Sequence, residues 1–425
     1  MKKLLVLCLL IALAMSVWAG GDQEEAGPVS LRVMSPASDF TDEWIESWNS
    51  ANPNIKLVRE DQDQTKWIAD YIAGSSPDII NLGSGAEIPY FAKRGMLLDL
   101  TDYFEASDKL NGDIDEEGSG AYKFEGSWYG LPKDYNNVTA ITYNKEIFDR
   151  AGLAYPSATE PMTYDEFYKL SAKLSAVDDS IIGTEVHGSW FLFIASDMAY
   201  MIGKRLHNAD QTMMNNDPAV RDIWKYFLRL RKEGISSNNE NPLSGWAGSA
   251  FQAGSIGMVQ LGYWYGASCA GVEGYEDMYA WAPAPVMEKG GLRVTNSLGA
   301  TGFIISSQTK HPDQAFKVFE WYMADEPGVE RAETGWGIPP LKSLQPLLPV
   351  DNEFNKTRKA IAMEEVKYMK PPQTSWYARN SVYAGNWNEA QRAYLDDEVT
   401  IDGAIDMFFK GMNEALALGK EEIGE

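Results

Sequence analysis

A chain of 425 residues is long enough for two domains of ordinary size, and its 44% hydrophobic and 23% charged content is that of a soluble globular protein. Its 61 acidic against 37 basic side chains leave a net charge of −24, a surface that repels phosphate backbones and anionic lipid and so argues against nucleic-acid and peripheral-membrane roles. The 14 tryptophans and 21 tyrosines exceed what a core needs.

In chain order, the first element is an address. Lys2 and Lys3 precede an apolar run from Leu4 to Met15, and Val17-Trp18-Ala19 presents small residues where a signal peptidase reads. The run is shorter than the roughly 20 residues a spanning helix needs. Cleavage is expected after Ala19, removing two lysines and no acid, so the mature charge becomes −26. A lipid anchor would need a cysteine at the cleavage point, where Gly20 stands, so a soluble exported protein is expected. Cys8 leaves with the leader, and Cys269 is then alone, a buried small hydrophobe without a disulfide partner.

Val29 to Ser35 alternates apolar and polar residues as a half-buried strand does. A helix follows, capped by Ser38 or Asp39, with Phe40, Trp44 and Trp48 on its core face. Asn52-Pro53-Asn54 ends it before a strand at Ile55 to Val58, and Asp78 to Leu82 reads as a buried parallel strand. Gly83-Ser84-Gly85 breaks that strand, and a helix through Tyr90 to Arg94 ends at Gly95. The β-α-β-α-β order predicts an α/β unit with a parallel sheet. A second block begins near Ala140 and carries helices with Phe167, Leu170 and Leu174 on one stripe, then Tyr226, Leu228 and Leu230. Ser297 to Ile305 reads as a strand returning to a sheet, Pro312 opens a helix with Ala315, Phe319 and Tyr322 inward, and a last helix runs from Ile401 to Leu418.

Catalytic and metal motifs are sparse. Asp113, Asp115 and Glu117 echo the start of a calcium loop, but Phe124 stands where a bidentate glutamate is needed, so a solvated acidic loop is expected. His187, His207 and His311 have no zinc spacing, and neither a nucleophile elbow nor a phosphate-binding P-loop is present.

Several segments, in one order along nearly the whole mature chain, resemble the family 1 extracellular solute-binding proteins of ABC importers, the group that includes maltose-binding protein. They are Trp48 to Ile55, Pro77-Asp78-Ile79-Ile80, Gly95 to Thr101, Trp128-Tyr129-Gly130-Leu131-Pro132, Tyr143-Asn144-Lys145 with Phe148 and Ala151-Gly152-Leu153, Pro161 to Phe167, Phe251 to Met258, Gly262-Tyr263-Trp264, and Gly299 to Ile305 followed by Pro312 to Tyr322. The resemblance implies an α/β, two-lobed periplasmic-binding-protein fold, each lobe a sheet flanked by helices and discontinuous in sequence. It places residues 28–132 and 286–346 in the N-terminal lobe and 133–285 and 347–425 in the C-terminal lobe. Three hinge crossings are expected near Pro132 to Tyr135, Pro283 to Val286 and Leu347 to Asn352.

Such a protein is not an enzyme. It binds a sugar or oligosaccharide by lobe closure and delivers it to transmembrane ABC permease subunits from the periplasmic or extracytoplasmic side, as a monomer and without a cofactor. A pyranose offers an apolar face that an indole covers and a hydroxyl rim that carboxylates and amides answer. Trp264 lies where the family commonly places a stacking aromatic, and Trp376 lies in its late aromatic segment. Trp190 sits in a loop and Trp336 between two glycines, exposed. Asp134 and Tyr135 lie in the first crossing; Asp39, Ser35 and Ser84 lie at strand exits. The small residues of Gly83-Ser84-Gly85-Ala86 leave room for a bulky ligand and few side-chain contacts. A secreted glycoside hydrolase, which needs two facing carboxyls, and the same fold with a non-sugar polar solute are the alternatives.

Overall fold

The computed structural model describes residues 27–425 except positions 187, 244, 297 and 300. The leader, its cleavage point after Ala19, Cys8 and His187 lie outside the described residues. Among the described residues the longer strands form two sheets, with shorter two-stranded ladders between and beside them.

The first sheet is built by the alternating pattern at the start of the chain. Val29–Met34 pairs in parallel with Ile55–Glu60 on one side and with Ile79–Leu82 on the other. Gly302–Ile305 then runs antiparallel between Ile79–Leu82 and Gly130–Pro132. The expected returning strand is therefore real, and it inserts from more than 200 residues away, which makes this lobe discontinuous. The helix Asp42–Ala51 covers the sheet through Trp44 and Trp48, as its periodicity predicts. Trp48 is 3% exposed, donates its indole N–H to the Ile55 carbonyl at 3.0 Å and lies 4.9 Å from the Trp321 ring. The cap is Thr41 rather than Ser38 or Asp39, because its hydroxyl accepts the Trp44 N–H; Asp39 is free for other work.

The second sheet has the order Tyr279–Ala282, Ile141–Asn144, Ile256–Val259, Ile182–Glu185. Its first two neighbouring pairs are antiparallel and the last is parallel. Helix Tyr164–Ser175 buries Phe167 and Leu174 beneath it and opens with a capping box between Thr163 and Glu166. The helices Pro218–Lys232, Asn380–Leu395 and Ile401–Glu422 form a separate layer around Trp224, Trp387 and Phe408. The last helix runs four residues past the expected end at Leu418. Cys269 is fully buried, as expected of a small hydrophobe, and burial pushes its thiol up to about 12.

The two lobes meet at a narrow waist. Pro132 ends the first sheet, and Tyr135–Asn136 pairs at once with Leu298–Gly299 on one side and, through Tyr135, with Ile338 on the other. Tyr135 N–H donates to the Ile338 carbonyl at 2.9 Å and the reverse bond is 3.0 Å. The segment Pro283 to Val286, expected to carry the second crossing, does not leave the second lobe. Val286 bridges Thr163, Ala284 N–H donates to Glu365, and Thr295–Asn296 pairs with Met369–Lys370. Only from Leu298 does the chain enter the waist, and it joins the first sheet at Gly302. The true returning strand is the continuous buried run Gly302–Ile305, whereas Pro283 and Pro285 follow the strand Tyr279–Ala282 within the second lobe. The turn Lys342–Leu347 packs on helix Glu326–Thr334 of the first lobe, and helix Glu353–Val366 packs on Tyr279–Ala282 of the second.

The acidic segment near Asp113 is not simply solvated. Asp115 is buried, caps the short helix Glu116–Ser119 through Gly118 N–H and accepts the Tyr135 hydroxyl at 2.7 Å. Asp113 accepts both the backbone N–H and the hydroxyl of Ser343. Their carboxylates are spent on tying the loop to the waist. Among the described residues no group of His, Cys, Asp and Glu is arranged to hold a metal ion, and no helix is long and apolar enough to cross a membrane.

His207 is buried in the second lobe with its Nε2 2.6 Å from the Tyr383 hydroxyl, and burial lowers its pKa from 6.5 to about 4. The folded state thus keeps it neutral where the unfolded chain takes a proton. Stability from this group is fully present above about pH 6.5 and is lost as pH falls towards 4, by up to about 3 kcal/mol. His207→Gln should flatten the fall in unfolding free energy between pH 6.5 and 4.5, measured by urea titration. An unchanged slope would show that the imidazole does not set it.

Candidate functional site

A cavity of about 530 Å3 lies between the lobes beside the waist. Its size falls within the roughly 300–1,000 Å3 of small-molecule sites. Of the residues expected to form a site, the structure brings six to its wall: Asp39, Ser84, Asp134, Trp190, Trp264 and Trp336. Three of these are indoles. Trp264 lies two residues after Gly262, whose φ of +82° disfavours any other residue and where a Cβ would stand only 3.0 Å from the Asn136 Cβ. That turn starts the short helix Tyr265–Cys269, and the Trp264 backbone N–H donates to Asn136 Oδ1 at 2.7 Å. The ring is held by a stacked Trp246 at 5.8 Å, and Trp336 tilts against it at 6.1 Å. Trp336 itself is 39% exposed, just past the left-handed Gly335 that ends helix Glu326–Thr334.

Opposite in character is a buried polar cluster at the cavity floor. Lys133 Nζ lies 3.2 Å from Asp134 Oδ2 and 3.4 Å from Asp39 Oδ1. Asp39 also accepts Asn81 at 3.0 Å and the Thr301 hydroxyl at 3.2 Å, and Asp134 Oδ1 accepts Asn136 at 3.1 Å. Arg331 closes the cluster from behind, over the Tyr322 ring at 4.1 Å. Burial pushes the Asp134 carboxyl above its ordinary range, against the pull of Lys133 and Arg331. Burial alone would lower the Lys133 ammonium; Asp134 and Asp39 outweigh it and hold the lysine above its ordinary value.

Three expected residues do not reach the wall. Ser35 is fully buried, accepting Asn81 at 3.2 Å, and so positions the partner of Asp39. Tyr135 points its hydroxyl at Asp115, where Gln345 also donates to both. Trp376 packs on Phe124 at 6.0 Å beneath Lys93, and its carbonyl accepts Arg94 at 3.1 Å, which makes it a lobe-to-lobe contact. Its ring faces the other lobe and not the cavity.

Other wall residues carried no signal that singled them out. Glu87, 6% exposed, accepts Gln64 at 2.6 Å and the Asn380 N–H at 3.1 Å, and pairs with Arg379 at 3.5 Å. Since Gln64 and Glu87 belong to the first lobe and Arg379 and Asn380 to the second, this carboxylate joins the lobes across the cavity. Ser84 caps the turn Gly85–Glu87 and so aims it. Lys133, Asn136 and Thr301 also line the space, beside the apolar Val138 and Phe193. Asn136 and Lys133 were within reach, being neighbours of Asp134 in the crossing. Gln64 and Asn380 sit on helices whose spacing says nothing of a cavity.

The match to known proteins agrees with this architecture. Residues 43–361 match the family of bacterial extracellular solute-binding proteins, and the chain belongs to that family. A binding protein of Brucella abortus is 24% identical over 258 residues, covering 58% of this chain and 60% of that protein's length. An arabinooligosaccharide-binding protein of Bacillus subtilis is 22% identical over 319 residues, 71% of this chain and 70% of its own. Among solved structures, an ABC substrate-binding protein from Listeria monocytogenes in complex with cycloalternan superposes with a TM-score of 0.74 at 18% identity, covering 93% of this chain and 99% of that one. The fold is accordingly the two-lobed one of extracytoplasmic binding proteins, its lobes joined by three hinge crossings.

Gly337 tests how tightly the polar floor is packed, because a Cβ there would stand 2.3 Å from Asp134 Cγ and Oδ1. Gly337→Ala should cost about 1–3 kcal/mol of stability by overpacking, read as a lower urea midpoint with unchanged slope. A midpoint equal to the parent's would mean that the Asp134 carboxylate gives way freely.

Proposed function

We propose that this protein captures a sugar or oligosaccharide between its lobes and hands it to the transmembrane subunits of an ABC permease. The observation that carries the reading is one cavity with Trp190, Trp264 and Trp336 on its wall and a polar floor of Asp39, Asp134 and Asn136. Indoles match the apolar face of a pyranose, and fixed carboxylate and amide acceptors match its hydroxyls. The ammonium of Lys133 offsets part of the acidic charge, which suits a neutral ligand. The names of the arabinooligosaccharide-binding relative and of the cycloalternan complex support the same class of ligand.

On this reading the protein is not an enzyme and works outside the cytoplasm, exported by its cleaved leader without a lipid anchor, as a monomer. The lobes are residues 28–132 with the returning segment from 302 to 346, and 137–296 with 353–425. Ligand favours the closed form because it touches both lobes, and the contacts of Glu87 with Asn380 and Arg379 add a direct bond between them. Residues of the first lobe such as Asp39 and of the second such as Trp264 then share one ligand.

A thermal-shift screen against a carbohydrate panel identifies the ligand, since a sugar at about 100 times its Kd adds about 2.7 kcal/mol. Trp264→Ala should then weaken calorimetric binding by about one to two orders of magnitude, the value of burying a large apolar face of roughly 1.5–3 kcal/mol. Trp48→Ala, in the first lobe's core, should instead cost about 3–5 kcal/mol of stability and leave affinity nearly unchanged. Parent-like binding by Trp264→Ala, or a panel in which no sugar raises the melting temperature, would overturn the reading.

A further inference from the structure

Beside the cavity the lobes also touch along a seam of bonds made by the protein with itself. The first lobe contributes the turn Gly85–Glu87 and helix Ile88–Lys93; the second contributes residues 374–380 and the end of helix Ile401–Glu422. The segment from the second lobe is anchored there, since Tyr377 and Ala378 sit in that lobe's core with Tyr383. The Thr374 hydroxyl donates across the seam to the Ala86 carbonyl at 3.0 Å, and the Trp376 ring packs on Phe124.

Two arginines reach across the seam in opposite directions. Arg94 of the first lobe donates to the Tyr90 carbonyl at 3.1 Å and lies 3.6 Å from that tyrosine's ring centre, so its guanidinium is already held in its own lobe. From there it donates to the Trp376 carbonyl at 3.1 Å and the Glu422 carboxylate at 2.9 Å in the other. Arg379 of the second lobe does the reverse: it donates to Gln64 and lies 3.5 Å from Glu87, which also accepts the Asn380 N–H. Lys93 adds its ammonium, 3.8 Å from the Glu425 carboxylate and 5.4 Å from the Trp376 ring centre. A pre-placed planar guanidinium loses little freedom when it bonds. The Arg94 and Arg379 side chains are 14% and 19% exposed, so their bonds are less screened than those of an ordinary surface pair.

Gln64, Glu87 and Asn380 face the cavity, whereas Arg94, Arg379, Trp376 and Glu422 stand outside its wall. The bonds of these outer residues need no ligand to form. We propose that the seam is a ligand-independent clasp: the unliganded protein populates the closed form, and a ligand completes a closure that the clasp has begun. Affinity is then set in part by residues that never touch the ligand, because prior population of the binding-competent form lowers the apparent Kd. The proposal rests on a ligand entering between the lobes and not on that ligand being a sugar.

Small-angle scattering of the protein, freed of bound ligand by unfolding and refolding, tests the clasp with no sugar present. The parent should give the radius of gyration of the closed arrangement, and the double variant Arg94→Ala/Arg379→Ala should shift to a larger one with its circular dichroism unchanged. Arg221→Ala removes an arginine that pairs with Asp402 and Asp406 inside the second lobe, and as the control it should leave the profile in place. Glu422→Gln changes one exposed carboxylate, keeps the fold, and should shift the radius in the same direction by less. If the double variant does not refold, Glu422→Gln decides alone. A parent already expanded without ligand, clasp variants with the parent's profile, or an equal expansion of Arg221→Ala overturns the proposal. Each of these results leaves the sugar reading intact, since no sugar enters the measurement.

Discussion

Everything in the cleft depends on one buried ammonium. Lys133 stands at the point where the chain first leaves the first sheet, nearly sealed from water, with carboxylates from both sides of that point against it. A lone charge there would be prohibitive, and a pair is tolerable only with its remaining groups satisfied. The surrounding bonds go most of the way: Asn81 and Thr301 donate to Asp39, Asn136 to Asp134, and Arg331 to the Lys133 carbonyl, while Arg331 Nη1 is buried without a hydrogen-bond partner. The outcome is a rigid floor whose members come from five separate stretches of chain. Asn136 extends it to the backbone of Trp264, so the polar floor and the aromatic wall are one connected object.

The waist solves a mechanical problem with the same economy. Two of its crossing segments, Tyr135–Asn136 and Leu298–Gly299, are neighbours in a short backbone ladder that Ile338 extends, and the Tyr135 hydroxyl bonds with Asp115 and Gln345 beside it. Short extended segments of this kind can bend together while the sheets on either side stay intact. The interlobe bonds lie elsewhere, at Glu87 with Asn380 and at Arg94 with Glu422. Hinge and clasp are thus separate sets of residues.

How much of this could be read in the sequence follows from what each element obeys. The first lobe was legible because Val29–Met34 and the Trp44–Trp48 stripe follow simple periods of two and nearly four, which burial alone imposes. The place of Trp264 at the cavity wall was legible because the resemblance puts an aromatic directly after that strand, where the glycine turn at Gly262 brings the chain out of the sheet. The crossing near Pro283 was misplaced because it was carried over from the resemblance, and in this chain Ala284 and Val286 still bond to the second lobe. Trp376, Tyr135 and Ser35 lie in the right segments, yet a side chain's direction is fixed by partners such as Lys93 and Asp115 that are remote in sequence. Glu87 escaped notice for the same reason: its importance comes from Asn380, 293 residues later.

The exposure of Trp336 has a consequence for anyone who wishes to watch this protein at work. Its ring is partly in water at the mouth of the space and leans on Trp264, whereas Trp48, Trp67, Trp224, Trp281 and Trp387 are sealed in cores. On the proposed function, a molecule entering between the lobes changes the polarity around the first pair and leaves the sealed rings alone. On that reading the Trp264–Trp336 pair is a built-in optical reporter, its change read against the constant emission of the sealed rings.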